Sequence, residues 1–168
     1  MKKIGVIGVR GGWSSERLAD AVEKKTGYRC LIDMDQIHLD LTTGQVRCGE
    51  IDLMSLDGLI IKKVSERYSP EMIDRLEILD DIWRKGPLIF SRPQRIARII
   101  NRLNGTLALR SAGIPIPQTV VTACPQEALK AVRQFGKAVF KPLFTSKARG
   151  MVIIENNSSA KNKISDFQ

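Results

Sequence analysis

The stretch FKPLFTSKARGM, Phe140 to Met151, sets Lys141, Lys147 and Arg149 around two hydroxyls, Thr145 and Ser146, and one glycine, Gly150, with no acid among them. Those residue types at that spacing suit an anion. Backbone N–H groups and hydroxyls of a short loop form a concavity for negative charge, and Gly150 permits close approach or a positive φ. Lys141, at the end of an apolar run, would point into any cleft the loop borders. A solvated basic hairpin tip has the same composition, and spacing leaves both alternatives open. A second constellation follows the first apolar run, KIGVIGV. Here RGGWSS offers Arg10, Ser14 and Ser15 at a strand's carboxyl end, where open sheets commonly bind ligands. A capped helix start with one solvated arginine is the alternative. Glycines 5, 8, 11 and 12 do not make G-x-G-x-x-G, so a dinucleotide fingerprint is not supported.

The elements that would position these residues follow from apolar spacing. Lys3 to Val9 forms a buried strand, Ser14 or Ser15 caps a helix with Leu18, Ala21 and Val22 on one face, and Tyr28 to Ile32 forms a second strand. Such a β-loop-α-β opening belongs to a parallel sheet covered by helices. Ile37 to Leu53 alternates in part around a Thr-Thr-Gly turn and predicts a hairpin. Gly58 to Val64 is another strand, ending in Lys62 and Lys63. A helix follows, with Ser69 as cap, Pro70 in the first turn, Met72, Ile73, Leu76, Leu79 and Trp83 on one side, and Gly86 at its end. PLIF adds a strand. Two helical stretches, PQRIARII and RLNGTLALRSAG, precede a proline-stiffened IPIPQT, a strand TVVT, a helix from Pro125 to Phe135, and the strands KAVFKPL and MVIIEN. From Asn156 the chain is polar, with no closing apolar element expected.

Bulk properties bound the function. A chain of 168 residues with 43% hydrophobic and 27% charged residues is a globular one. The opening MKKIGVIGV is broken by Arg10 and is a first strand rather than a signal peptide, so a cytoplasmic protein with no membrane segment is expected. Three scattered cysteines and one histidine, His38, argue against a disulfide framework or a zinc site. Net charge is +9, and Ile82 to Gln126 contains no acid. Arg95, Arg98 and Arg102 would share one helix side, a field that attracts nucleotides, acidic substrates or nucleic acid. A basic module binding nucleic acid or an acidic protein is therefore an alternative, although only 5% of residues are aromatic and base stacking has little material.

The run NRLNGTLALRSAGIPIPQTVV, a helix, then VFKPLFTSKARGMVII resembles the ATP-grasp superfamily, and most closely its RimK-like branch of ribosomal protein S6 glutamate ligases and amino-acid ligase relatives. The resemblance implies an α/β chain. A Rossmann-like preliminary ATP-grasp domain would span residues 1–92, the small α+β first half of an ATP-grasp clamp 93–155, and a polar, truncated tail 156–168. It assigns Lys141 to the α- and β-phosphates of ATP, and Arg102 to the family's earlier phosphate cation, usually lysine. Thr145, Ser146, Lys147 and Gly150 fall in the phosphate flap. Thr145 and Ala148 stand where the family's flaps commonly carry glycine. The implied activity is an ATP-dependent carboxylate–amine ligase working through an acyl-phosphate, with ATP and Mg²⁺ as cofactors. Its substrate would be an acidic amino acid, peptide or protein, met in part by Arg10, Ser14 and Ser15. After Glu155 only Asp166 is acidic, so no metal ligand and no catalytic residue is assigned here. The chain is accordingly expected to be an N-terminal portion that binds nucleotide weakly or not at all and is inactive alone. It could self-associate through the unfinished clamp. The segment from Phe144 to Gly150 is expected to be ordered only around an anion.

Overall fold

Short apolar runs separated by helices build the first half of the chain. In the computed structural model, which describes residues 1–143, 145 and 148–167, β1 (Ile4–Ile7) pairs in parallel with β2 (Leu31–Ile32) and β6 (Gly58–Ile61). Strand β6 pairs in parallel with β7 (Leu88–Phe90), giving the order β2-β1-β6-β7. Parallel neighbours need crossovers, and the helices α1 (Trp13–Thr26) and α2 (Glu71–Lys85) supply two of them. Ala19 and Val22 of α1 bury Val6 on one face of the sheet. Met72, Leu76, Leu79 and Ile82 of α2 join Ile7, Leu59 and Ile89 in the larger core on the other. Each such aliphatic side chain contributes about 1.5–3 kcal/mol when fully buried.

The predicted stripes are corrected in detail. In α1 the buried positions are Ser15, Ala19 and Val22, while Ala21 is exposed. The 15, 19, 22 spacing aims one narrow face at the sheet. Neither Ser14 nor Ser15 caps this helix. Gly12 is its N-cap, because Ser15 already lies inside the first turn. In α2, Pro70 rather than Ser69 holds the cap position, and Ile73 is 68% exposed because the buried row runs 72, 76, 79. The expected hairpin gains a third strand: β3 (Ile37–Leu39), β4 (Val46–Cys48) and β5 (Ile51–Asp52) form an antiparallel sheet, turned at Gly44 and Gly49 with positive φ.

Helix α3 (Pro93–Ile100) packs on α2. The buried Asp80 carboxylate accepts hydrogen bonds from the Arg84 and Gln94 side chains, and the Arg92 guanidinium lies 4.8 Å from the centre of the Trp83 ring. The chain divides into two compact units, Met1–Ile100 and Asn101–Gln168.

The second unit contains α4 (Arg102–Ser111), α5 (Pro125–Phe135), β8 (Lys137–Phe140), β9 (Val152–Glu155) and α6 (Ala160–Phe167). Strands β8 and β9 are antiparallel, with Val139 opposite Ile153 and Phe140 opposite Val152. Val132, Ile154, Ala160 and Ile164 form the core. Two expectations fail here. TVVT pairs with no described strand, and Val120 and Val121 are about half exposed, at 49% and 53%. The polar end of the chain does carry a closing apolar element. Ala160, Ile164 and Phe167, spaced by four and three, make one helical stripe, and Phe167 packs edge-on to Phe140 at 5.3 Å.

Candidate functional site

The first glycine loop is closed on itself. Gly8 N–H donates to Ile32 O at 2.9 Å, Val9 N–H to Ser15 Oγ at 3.2 Å, and Arg10 N–H to Asp33 Oδ2 at 3.1 Å. Gly11 N–H donates to Glu16 Oε1 at 2.8 Å and Gly12 N–H to Val9 O at 3.1 Å. Five successive amides are thus satisfied within the protein. The carboxylates of Glu16 and Asp33 occupy positions that an anionic ligand of such a loop would take. Arg29 donates to Glu16 Oε2 at 2.6 Å and, with the Gly11 N–H, holds the Glu16 carboxyl below its ordinary pKa.

Ser15 is 1% exposed, and its hydroxyl accepts the Val9 N–H. Ser14 is half-buried. Arg10 is exposed and borders a cleft of about 270 Å³ with Asp33, Asp35, Gln36, Cys48 and Gly49, beside the carboxyl ends of β1 and β2. Asp35 in that cleft is ion-paired with Arg75. Lys62 and Lys63 donate their backbone N–H groups to Ile7 O at 2.9 and 3.1 Å.

The lysine loop is built differently. Lys141 follows the last residue of β8, is exposed, and makes no hydrogen bond or ion pair with another described residue. By strand alternation it continues the row of Lys137 and Val139. That row, with Ile153 and Glu155 opposite, is the face of the β8–β9 sheet turned away from the core. Val139 is 51% and Ile153 54% exposed, whereas Ile154 is fully buried under α5 and α6. Gly150 has φ +66°, and a Cβ there would lie 3.2 Å from Pro142 Cγ. Ala148 adopts φ 57°, the left-handed backbone that glycine favours, and its carbonyl accepts from Met151 N–H at 3.3 Å. Ser146 and Lys147, and with them the expected ordering of Phe144 to Gly150, lie outside the described residues.

Arg102 opens α4, whose N-cap Asn101 accepts from the N–H groups of Leu103 and Asn104 at 3.0 and 3.2 Å. Its NH1 donates to Pro142 O at 2.9 Å and its NH2 to Thr145 O at 3.0 Å. The Thr145 hydroxyl is buried and has no hydrogen-bond partner among the described residues. Asn101 also breaks the expected arginine stripe: Arg95 and Arg98 lie on α3, and Arg102 starts a new helix.

An exposed lysine and a buried hydroxyl, each without a partner among the described residues, and a left-handed turn are chemically suited to phosphate oxygens. A divalent cation finds less. Among the described residues no group of three or more His, Cys, Asp or Glu could hold a metal ion. No described helix is long and apolar enough to cross a membrane. Spacing could have exposed the role of Glu16, which lies four residues beyond the Gly12 cap. No local signal marks Asp33, which closes the loop from 23 residues away.

No family model matches the chain. It is 28% identical over 163 residues to the tetrahydromethanopterin:alpha-L-glutamate ligase of Methanosarcina acetivorans, a match covering 93% of this chain and 50% of that protein. This chain thus spans about half the length of that relative. Among solved structures, a RimK domain ATP-grasp protein from Sphaerobacter thermophilus superposes with TM-score 0.70 at 16% identity, over 98% of this chain and 57% of that one. The ATP-grasp ligase PsnB, complexed with a phosphomimetic variant of its minimal precursor, Mg and ADP, superposes with TM-score 0.69 at 15% identity, over 98% and 62%. At these identities the superpositions establish the fold.

Proposed function

We propose that this chain, similar to ATP-grasp and RimK-domain proteins in fold and to a glutamate ligase in sequence and spanning part of their length, belongs to an ATP-dependent carboxylate–amine ligase. The parallel-sheet unit serves as the preliminary domain, and the β8–β9 unit as the first half of the nucleotide clamp. The γ-phosphoryl group of ATP passes to a carboxylate oxygen and ADP leaves. An amine then attacks the acyl carbon, loses a proton and displaces phosphate. Catalysis of this kind is mainly positioning and neutralisation of charge. An acidic amino acid is the proposed amine substrate, in keeping with the glutamate named in the relative from Methanosarcina acetivorans. The exposed Arg10 beside the cleft at the ends of β1 and β2 supports contact with its carboxylates.

The observation that carries the proposal is the open face of the β8–β9 sheet. Val139 and Ile153 lie opposite each other there, about half exposed, and their row leads to Lys141, which has no partner among the described residues. An apolar patch beside a free cation matches adenine beside phosphate. The first glycine loop, its five amides already used, is not the nucleotide site in this proposal. Because the matched region is about half of the relative's length, the chain alone is proposed to cover one side of the nucleotide and to give no turnover.

Calorimetric titration with ATP, with and without Mg²⁺, tests this. Binding is expected near millimolar, about −4 kcal/mol. Lys141→Ala should weaken it about tenfold and Lys147→Ala much less. Tight, metal-dependent binding would sink the one-sided clamp, and equal loss in the two variants would sink the assignment of Lys141.

A further inference from the structure

Arg102 has a different task from the one its place in the ATP-grasp pattern suggests. Two of its guanidinium nitrogens are already committed to carbonyl oxygens three residues apart, those of Pro142 and Thr145. Carbonyls that close in sequence, turned toward a common point, repel one another unless a donor lies between them. The fork of a guanidinium supplies two roughly parallel donors in fixed geometry, which a lysine ammonium does not. The anchor is itself firm. Arg102 is the first residue of α4, the Asn101 side chain caps that helix, and the Thr106 hydroxyl donates to Arg102 O at 3.0 Å. From another side, Gly150 leaves only enough room for Pro142, whose Cγ would lie 3.2 Å from an added Cβ. Pro142, the residue next to Lys141, is thus held at its carbonyl by Arg102 and has Gly150 close by.

We propose that Arg102 is a positioning residue that ties the carbonyls of Pro142 and Thr145 to the start of α4 and so fixes where Lys141 begins, rather than a cation that contacts phosphate. It acts through Lys141 and therefore rests on the nucleotide assignment given above for that lysine. The substitution of arginine for the family's usual lysine is then a change of role. Charge is kept, but it is spent on carbonyls.

The test uses the full 168-residue chain with Arg102→Met, Arg102→Lys, Lys141→Met and the double variant Arg102→Met/Lys141→Met. Without nucleotide, amide hydrogen exchange of the peptide spanning residues 140–152 should quicken about tenfold in both Arg102 variants and stay unchanged in Lys141→Met. Exchange in residues 1–100 should not change in any variant, which separates loss of the tether from failure to fold. In ATP titrations Arg102→Lys should bind as poorly as Arg102→Met. Arg102→Met should weaken binding no further once Lys141 is methionine, since coupled residues lose additivity. Rescue of affinity by Arg102→Lys, or additive losses in the double variant, would show a direct phosphate contact and overturn the proposal. Unchanged exchange in both Arg102 variants would overturn it independently. If the unmutated chain shows no ATP binding while the exchange results hold, the nucleotide assignment falls and the tether stands.

Discussion

Replacing Gly8 by alanine should be among the most damaging single-methyl additions in the chain, and the damage should depend on Ser15. An added Cβ would lie 2.7 Å from both Cβ and Oγ of Ser15 and 3.1 Å from Leu31 Cδ1. Carbon atoms pack best at about 3.5–4.0 Å, so the overlap with Ser15 is close to 1 Å. Ser15 cannot retreat. It is 1% exposed, it lies in the first turn of α1, and its Oγ accepts the Val9 N–H. Gly8 does not have positive φ, so the cost is one of contact rather than backbone strain. Overpacking of this kind costs about 3 kcal/mol. Ser15→Gly should also cost about 3 kcal/mol, from an amide left without its acceptor and a glycine inside a helix. The double variant should lose only about 4 kcal/mol, because removing the Ser15 side chain makes room for the new methyl. Both tryptophans, Trp13 and Trp83, lie in the first unit. Urea unfolding followed by tryptophan fluorescence therefore reports on the affected unit. Losses that add to within about 0.5 kcal/mol would mean that the two sites are independent, and the close approach of β1 to α1 would be wrong.

Ile164→Ala should destabilise the second unit by about 2–4 kcal/mol, since Ile164 is 3% exposed in a core of four buried residues. Circular dichroism should show a new early transition while the tryptophan transition stays in place; a shift of both would mean that the units do not unfold separately. Acid should weaken the first unit. The carboxyls of Glu16, Asp40, Asp57 and Glu71 are all held below their ordinary pKa: Glu16 by Arg29, Asp40 by the Thr42 N–H, Asp57 by the Lys3 N–H and Glu71 by Ser69. Their stabilisation is fully present above the unfolded values, about 4, and is lost as pH falls through the folded ones, because the unfolded chain binds more protons. Fluorescence-detected urea midpoints should fall below about pH 4.5, and less steeply in Glu16→Gln. A midpoint that rises on acidification would contradict this.

Local pattern was enough for much of the architecture. The helix from Pro125 to Phe135 has those bounds in the structure, because proline opens it, glycine closes it, and one apolar face lies between. The alternation of buried strands with helices likewise predicts the parallel sheet, and the basic loop after KAVF begins at Lys141, which is exposed. Periodicity misled where a stripe had few members or a strand needed a partner. Ala160, Ile164 and Phe167 are scattered through a polar stretch and become a face only once a core exists to receive them. TVVT has the composition of a strand, but a strand is defined by hydrogen bonds to a neighbour, which no run of residues can supply alone. The chemistry of the two loops was decided by contacts distant in sequence. Asp33 reaches Arg10 across 23 residues, turning a loop that could cradle an anion into one already closed. Arg102 reaches the carbonyls of Pro142 and Thr145 across 40 and 43 residues, so two of its donors are engaged by partners that no local pattern announces. Sequence determines which donors and charges a segment carries; the tertiary structure decides which remain free, because burial obliges polar groups to find partners wherever folding brings them.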